Sequence, residues 1–506
     1  MHTNRQITNI NKTDFFAVSS LLLISFFLRL YAFFGTTVIN RDGVWYINQA
    51  KAILNNDWDL ARKCGYDFIS LYHLLIPFSY KIFGDWILGA KAISLFFGTC
   101  AVIPLFFILR RFFRMRTAFV ASLAFTMNPF FVSYSVDLVK DPIFWFFALL
   151  GFMLFITSLK KEGQLYLLSL SSVSFMIAGF ARFEVLIYVI GSLLYLLFFE
   201  DKKLKKILIF TGPILLLIIL VSVLNTYLLR ETLHLWSFYL LPRTHRFFTA
   251  VTDSLLRPDI LGKSFLALKL LLVKMSKVLY IPFIPIFLIS FLNIRKDVKR
   301  DRHFRYFILL SLMSLIALYF FYIKIEVLSP RYTVFFILPA FVFICFGIEK
   351  IMLFLAKRGL DEKYAHLLIC LYVMTSVLVA PSTLIHRSTD KIVYKTAGEY
   401  IAKIENNRST IIMAPDTRIM FYANLNSPVI ECGNKLMKYD ALIKMNYQDM
   451  AHFLKSNNVE YFLWEAKAWE DAGYDFLTAI DPAQFRELMR WDSEQGRLIL
   501  FKVMHR

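Results

Sequence analysis

Long apolar segments recur along the first three quarters of the chain and are separated by short basic clusters. A helix of about 20 apolar residues spans the roughly 30 Å hydrocarbon core of a bilayer. The 506-residue sequence is 58% hydrophobic and holds 53 Phe and 25 Tyr, more apolar surface than a soluble domain of this length can bury. The pattern predicts an all-α polytopic membrane protein.

The positive charge lies where the positive-inside rule expects cytoplasmic loops. The formal net charge is +20, yet residues 387–506 hold 16 basic and 16 acidic side chains, so the excess belongs to the preceding part. With Arg5 and Lys12 in the cytoplasm, the apolar segments predict roughly eleven crossings and an external C-terminus. These segments are 15–34, 87–109, 117–134, 143–159, 165–181, 184–199, 207–228, 264–293, 306–323, 332–356 and 364–381. This placement of charge argues against a nucleic-acid partner.

The sequence predicts two domains. Residues 1–385 form the membrane domain, with external loops over 35–86 and 229–263. The apolar segment Phe68–Phe83 is short for a crossing and is predicted either to span or to lie along the interface. Residues 386–506 read as a small soluble α/β domain, with strands in TIIMAPD, SPVIE, VEYFLWE and RLILFKVM and a helix in YQDMAHFLKS.

The five cysteines form no CxxC pair and have no His at metal-ligand spacing, so they predict neither a zinc site nor a redox motif. Cys64 and Cys432 are both predicted outside the cytoplasm. We favour two unpaired thiols there over a disulfide. Charged residues at predicted membrane edges converge on that same external side, where they mark either a functional site or interface anchors. They are Asp42, Asp137, Lys140, Asp141, Arg182, Glu184, Lys324, Glu326 and Arg331.

The stretch RDGVWYINQAKAILNNDWDLA resembles the first outer loop of the polyprenyl-phosphate-sugar-dependent transferases. These belong to the GT-C fold group, which includes protein O-mannosyltransferases and the lipid A aminoarabinose transferase. In that group the motif opens with an acidic residue, often a pair, followed by an aromatic residue. Asp42 matches the acid and Tyr46 the aromatic, whereas Gly43 departs from a paired acid. Similar stretches follow in the same order and cover most of residues 15–345: FISLYHLLIPFSYKIFG, YSVDLVKDPIFWFF, AGFARFEVLIYVI and SPRYTVFFILPAF.

The resemblance implies a hexosyl- or pentosyltransferase that moves a sugar from a polyprenyl-phosphate carrier to a glycan, lipid or protein, with inversion of configuration. The acceptor hydroxyl must lose a proton, and a carboxylate can take it as general base. Asp42 is our candidate. The alternative is that Asp42 only caps a helix that begins near Val44, because Asp is a favoured N-cap residue.

The leaving phosphate requires fixed cations, for which the candidates are Arg331, Arg182 and Lys140. Alternatively, Arg182 forms only an internal salt bridge with Glu184. The alternative for Lys140 is that its side chain merely extends to the membrane interface (snorkelling). Asp137, Tyr46 and Glu184 are candidates for contact with the acceptor or the donor sugar. Asp141, which precedes Pro142, reads as a helix N-cap. A divalent cation such as Mg²⁺ or Mn²⁺ shared by Asp42 and Asp137 would suit their oxygen ligands.

Two alternative functions remain open at this point. One is an oligosaccharide ligase or oligosaccharyltransferase that uses a diphosphate-linked glycan. The other is a transporter or flippase, although the sequence shows neither an inverted repeat nor paired Gly/Pro-broken helices. In either case the prediction is an integral protein of a bacterial or archaeal plasma membrane, with a cytoplasmic N-terminus and an extracytoplasmic C-terminal domain.

Overall fold

The computed structural model describes residues 11–64, 69–160, 164–227, 260–292, 294–295, 298, 301–325, 329–379, 381–385, 391–427, 439–470, 472–493 and 496–505. The chain divides into two compact units. A helical unit comprises Met1–Gly35, Ser70–Leu75 and Leu88–His386, and a mixed unit comprises Thr36–Ile69, Ile76–Ile87 and Arg387–Arg506. The predicted boundary between 385 and 386 stays a prediction.

Helices account for nearly all regular structure before residue 385, because a backbone in hydrocarbon must satisfy its own hydrogen bonds. In chain order they are α1 (Lys12–Gly35), α2 (Arg41–Leu54), α3 (Trp58–Lys63), α4 (Leu71–Phe83), α5 (Trp86–Cys100), α6 (Val102–Phe112), α7 (Met115–Met127), α8 (Pro129–Tyr134), α9 (Asp141–Lys160), α10 (Tyr166–Ala181), α11 (Leu186–Phe199), α12 (Lys203–Tyr227), α13 (Ile260–Leu279), α14 (Ile284–Ser290), α15 (Phe304–Ile325), α16 (Pro330–Ala340), α17 (Val342–Lys357) and α18 (Glu362–Leu378). Short 3₁₀ turns cover Phe183–Val185, Ile281–Phe283 and Pro381–Leu384.

Several helices have the length and composition of membrane spans, so the chain is an integral membrane protein. Within the described residues, four helical segments qualify: Lys12–Gly35, Trp86–Phe112, Asp141–Leu159 and Phe304–Ile323. Two bent helix pairs raise the number to as many as six, and three further apolar helices are shorter. Helix α4 has 13 residues, which at 1.5 Å per residue is too short to cross alone. The number of crossings stays a prediction.

The predicted crossing over 264–293 is not one straight helix. Segments Gly262–Leu279 and Ile281–Ser290 meet at 96°. Tyr280 between them has a φ of 70°, a left-handed conformation that stops helix propagation. Pro282 and Pro285 follow and supply no backbone N–H. The pair Pro330–Ala340 and Val342–Lys357 bends by 60° at Phe341, where Pro339 two residues earlier supplies no backbone N–H.

Aromatic rings and short polar side chains pack the interior of the helical unit. Tyr188 on α11 is fully buried, and its hydroxyl donates to the carbonyl of Phe335 at 2.7 Å. Ser171 and Ser174 on α10 donate to carbonyls of α9 at 2.8 and 2.7 Å. At Gly347 an added Cβ would lie 1.9 Å from the Ile286 carbonyl oxygen, so only glycine lets α17 approach α14 this closely.

The mixed unit contains a four-stranded sheet of order β1-β2-β4-β3. The strands are β1 (Ile412–Met413), β2 (Tyr461–Glu465), β3 (Phe485–Ser493) and β4 (Gly496–Val503). β1 pairs in parallel with β2, and the other neighbours are antiparallel. Besides α2 and α3, its described helices include α19 (Ile392–Ile404), α20 (Thr417–Ala423), α21 (Tyr439–Ile443), α22 (Tyr447–Ser456) and α23 (Phe476–Ala479), and Ala466–Trp469 is a 3₁₀ turn.

The strands β1, β2 and β4 lie in three of the four segments predicted as strands, and α22 coincides with YQDMAHFLKS. The fourth, SPVIE, lies outside the described residues except for Ser427. Apolar clusters cover both faces of the sheet, with Phe462 and Phe501 on one and Tyr461 and Leu500 on the other. Alternation along β2 and β4 therefore places successive side chains in opposite cores.

The expectation of an unpaired thiol at Cys64 is wrong. Cys64 is fully buried after α3 and is disulfide-bonded, and its partner lies outside the described residues. Cys100, Cys345 and Cys370 are free. The sequence could not reveal this bond, because pairing of cysteines distant in sequence depends on tertiary proximity.

Candidate functional site

A buried ion cluster in the helical unit joins three helix ends. Asp141 is the first residue of α9 and binds two guanidinium groups. Arg331 reaches one carboxylate oxygen with Nη2 at 2.6 Å and Nε at 3.2 Å. Arg182 donates through Nη1 to the other oxygen and through Nη2 to Glu184 at 2.9 Å. Two carboxylates thus balance two guanidinium groups.

Local sequence explains how each member reaches the cluster. Arg182 follows α10 in an extended conformation, and the 3₁₀ turn after it presents Glu184 two residues later. Arg331 lies in the first turn of α16, next to Pro330, which suits a helix start. Asp141 is the first residue of α9 and is followed by Pro142, so it also lies in a first helical turn next to a proline. Helix ends are where side chains can converge without interrupting backbone hydrogen bonds.

The members of this cluster differ in exposure. The side chains of Asp141 and Arg182 are 1% and 6% exposed, whereas that of Arg331 is 19% exposed. The guanidinium of Arg182 lies 5.0 Å from the Tyr332 ring centroid, and that of Arg331 lies 5.9 Å from the Tyr134 ring. Arg331 is therefore the cation of this cluster that an anion can reach most readily.

Asp137 and Lys140 precede the cluster on the same segment. Asp137 is buried, and its carboxylate accepts from the Leu138 amide at 2.8 Å. Lys140 is half-buried before α9. In the same unit His73 accepts a hydrogen bond from the Ser70 amide at 2.7 Å. The structure thus brings Arg182, Glu184 and Arg331 together around Asp141, with Asp137 four residues before it.

Asp42 lies in the mixed unit, in the first turn of α2. The helix begins at Arg41, and Asn40 is its N-cap, accepting from the Gly43 amide at 2.7 Å. The alternative that Asp42 caps a helix starting near Val44 is therefore wrong. The Asp42 side chain is half-buried, and Tyr46 one turn later is buried. A carboxylate in this first turn is stabilised by the helix dipole.

Sequence reasoning missed the role of Asp141. Pro142 made it read as an N-cap, yet its carboxylate serves as the shared acceptor for two arginines. The available signal was the set of two arginines and one glutamate at predicted membrane edges, since buried charges require partners. Lys324 and Glu326 were part of that set. Their side chains lie outside the described residues, as do residues 229–259 of the loop predicted over 229–263.

The mixed unit also holds a small cavity of about 310 Å³. Lys51 of α2 lines it together with Tyr80 and Trp86, whose rings stack at 3.9 Å. Lys51 is 8% exposed, and its Nζ donates to the Leu425 carbonyl at 2.5 Å. Burial lowers the pKa of Lys51 to about 8, because desolvation disfavours the charged ammonium.

For a metal ion, the described residues contain no group of three or more His, Cys, Asp or Glu side chains placed to bind one. The two carboxylates proposed as cation ligands, Asp42 and Asp137, belong to different compact units. Each provides the oxygen ligands that Mg²⁺ and Mn²⁺ prefer.

Comparison with known proteins agrees with this architecture. Residues 71–225 match the family model described as dolichyl-phosphate-mannose-protein mannosyltransferase. A search of curated proteins finds no match.

Three solved structures are similar in fold over nearly the whole chain. ArnT from Cupriavidus metallidurans bound to undecaprenyl phosphate has a TM-score of 0.59 at 12% identity, covering 96% of this chain and 97% of that one. The oligosaccharyltransferase AglB from Archaeoglobus fulgidus, with an inhibitory peptide and a dolichol-phosphate, has a TM-score of 0.54 at 11% identity, covering 96% and 74%. The Archaeoglobus fulgidus oligosaccharyltransferase in complex with Zn and sulfate has a TM-score of 0.52 at 12% identity, covering 95% and 72%. At these identities the likeness is one of fold.

Proposed function

Because the chain has the GT-C fold of the polyprenyl-phosphate-sugar-dependent glycosyltransferases, we propose that it moves a sugar from a polyprenyl-phosphate carrier to an acceptor outside the cytoplasm. The acceptor is a hydroxyl of a glycan, a lipid or a protein. The hydroxyl oxygen forms a bond to the anomeric carbon and the bond to the phosphate oxygen breaks, so configuration inverts. The carrier leaves as a polyprenyl phosphate.

The observation that carries this proposal is the position of Asp42. Its carboxylate stands in the first turn of an amphipathic helix whose cap position is already filled by Asn40, so capping does not account for the acid. We assign Asp42 as the general base that accepts the acceptor's proton. Tyr46, one turn later on the same helix, is proposed as a contact to a bound sugar.

The second assignment concerns the phosphate. We propose that Arg331, the more exposed cation of the ion cluster, binds phosphate oxygens of the donor, because a guanidinium can hold two of them at once. Arg182 is fixed by Asp141 and Glu184, so its proposed role is to keep the cluster charged and in place. Lys140 remains a proposed phosphate ligand, and Asp137 and Glu184 remain proposed sugar contacts.

The disulfide at Cys64 supports the predicted orientation. Stable disulfides form in oxidising compartments and are rare in the cytosol. Cys64 follows α3 in the loop over 35–86, so that loop is proposed to face the periplasm or the exterior. The N-terminus then lies in the cytoplasm of a bacterial or archaeal cell.

The test is sugar release from purified polyprenyl-phosphate-linked and nucleotide-linked donors, with the protein in lipid. We expect only the lipid-linked donor to be consumed, and Asp42→Asn to lower turnover by roughly 10²–10⁴-fold without loss of membrane insertion. Asp59→Asn is the matched control, because Asp59 lies in the same loop and its side chain is 74% exposed. Full activity in Asp42→Asn would exclude the assignment of the base.

A second candidate is an oligosaccharyltransferase that uses a diphosphate-linked glycan. The likeness to AglB supports the transfer of an oligosaccharide, whereas the lipid in that structure is a dolichol-phosphate. The carrier that is released decides between the two. Phosphate analysis of the spent lipid should show a monophosphate, whereas a diphosphate would favour the second candidate. The same assay with EDTA, followed by addition of Mg²⁺ or Mn²⁺, tests the proposed cation. Loss of activity with EDTA and its recovery on adding the metal would show that the reaction requires a divalent cation.

A further inference from the structure

The segment that leads into α2 is held by side chains from the C-terminal part of the chain. Ile39 is 1% exposed, so its backbone groups need protein partners. Its amide donates to the Tyr422 hydroxyl at 3.0 Å, and its carbonyl accepts from Arg418 Nη1 at 3.4 Å. Both polar groups of this one residue are therefore satisfied from α20, far away in sequence.

Arg418 is itself fixed before it reaches Ile39. Its Nε and Nη2 donate to the two carboxylate oxygens of Asp416 at 2.8 Å each. The side chains of Arg418 and Asp416 are 4% and 8% exposed. Burial alone would raise the pKa of Asp416, but its contacts with Arg418 lower it below the usual value. The pair is thus ionised, and a bidentate pair holds a guanidinium in one orientation.

Further contacts lie on either side of Ile39. Asp416 also contacts Arg41 Nε at 3.5 Å, one residue before Asp42. Lys395 donates to the Thr37 carbonyl at 3.4 Å. At the other end of α2, Lys51 donates to the Leu425 carbonyl, which follows α20. The helix is therefore held near both ends by residues from 395–425.

We infer that Asp416, Arg418 and Tyr422, here called the α2 clamp, are positioning residues that fix the carboxylate of Asp42 through the backbone of Ile39. The capped first turn of α2 begins two residues after Ile39 and carries Asp42. A displacement of Ile39 is therefore passed on to the carboxylate, and small displacements of a catalytic group lower turnover strongly. This inference gives the C-terminal domain a task, and its catalytic part rests on the proposed function of Asp42.

The test compares Tyr422→Phe with Tyr447→Phe. Both substitutions remove one phenol hydroxyl that accepts a backbone amide, from Ile39 at 3.0 Å and from Asp481 at 2.9 Å respectively. Hydrogen exchange is measured for the peptide that covers residues 36–46, and kcat and KM are measured with the lipid-linked donor. For Tyr422→Phe we expect roughly tenfold faster exchange at Ile39 and a several-fold lower kcat at unchanged KM. Tyr447→Phe should change neither.

Unchanged exchange in Tyr422→Phe would overturn the clamp, and faster exchange with unchanged kcat would overturn its positioning role. The proposed function fails separately, through full activity of Asp42→Asn. In that event the exchange measurement still decides whether the clamp holds the segment before α2.

Discussion

The two compact units each contain an aspartate shared by two arginines, yet the two arrangements differ in what they leave exposed. Asp141 binds Arg182 and Arg331 inside the helical unit, and the more exposed of these arginines is still four-fifths buried. Asp416 binds Arg418 and Arg41 in the mixed unit, where the Arg41 side chain is 63% exposed. The same three charges therefore stand in a dry site in one unit and in a partly wet site in the other.

The difference teaches that one motif can serve two tasks. In the helical unit a further carboxylate, Glu184, balances the charge, and the two guanidinium groups lie over aromatic rings. In the mixed unit Arg418 donates a hydrogen bond to the backbone carbonyl of Ile39. We interpret the ion cluster around Asp141 as a candidate anion-binding site. We interpret the arrangement around Asp416 as a structural contact that holds the backbone of Ile39.

The largest expected effect is on the stability of the helical unit. Asp141→Asn removes the charge shared by two guanidinium groups and should lower the free energy of unfolding by roughly 3–5 kcal/mol, because unbalanced buried charges are costly. Thermal unfolding in detergent measures it. Asp137→Asn is the matched control, since Asp137 is equally buried and accepts from a backbone amide. Equal losses in both variants would contradict the importance of the shared charge.

The next effect concerns the donor. Arg331→Gln should weaken binding of a polyprenyl phosphate about 100-fold, because hydrogen bonds to charged groups contribute roughly 1.5–3 kcal/mol. Arg41→Gln, the exposed arginine of the other arrangement, should leave that affinity unchanged. Equilibrium binding of a fluorescent polyprenyl phosphate tests this pair, and equal losses would remove the distinction drawn between the two sites.

A smaller effect should appear as a pH dependence. The pKa of Lys51 falls from 10.5 to about 8 on burial, so between these values the unfolded chain binds more protons than the folded one. Stability should therefore rise with pH across this window, by roughly 2 to 3 kcal/mol up to pH 10. Melting temperatures from pH 7 to pH 10 measure the rise, and Lys51→Met should flatten it. A wild-type curve that falls over this range would contradict the assignment.

The smallest effect is expected at the exposed end of the mixed-unit arrangement. Arg41→Gln should change stability by less than about 1 kcal/mol, because water screens a pair in which one side chain is mostly exposed. Arg418→Gln, which removes the buried member, should destabilise by more than this. If the two variants have equal melting temperatures, the exposed Arg41 and the buried Arg418 contribute equally to stability and the contrast between these two partners of Asp416 is wrong.

The sequence predicted the features that local pattern controls. Apolar segments of the right length became helices, and the helix predicted to begin near Val44 is part of α2, which begins at Arg41. It could not predict which charges meet, because Asp141 and Arg331 are brought together only by tertiary packing. The strand β3 was missed for a related reason. Its sequence, FRELMRWDS, favours a helix, and pairing of eight of its nine residues with β4 overrides that preference.

The discontinuity of the mixed unit has a consequence for biosynthesis. Its segments Thr36–Ile69 and Ile76–Ile87 are synthesised well before Arg387–Arg506. At roughly 5–20 residues per second, synthesis of the intervening chain of about 300 residues takes on the order of 15–60 s. During that interval the loop that bears Asp42 exists without the residues that hold it. Under the proposed function, Asp42 is therefore held in its working position only after residues 387–506 have been synthesised.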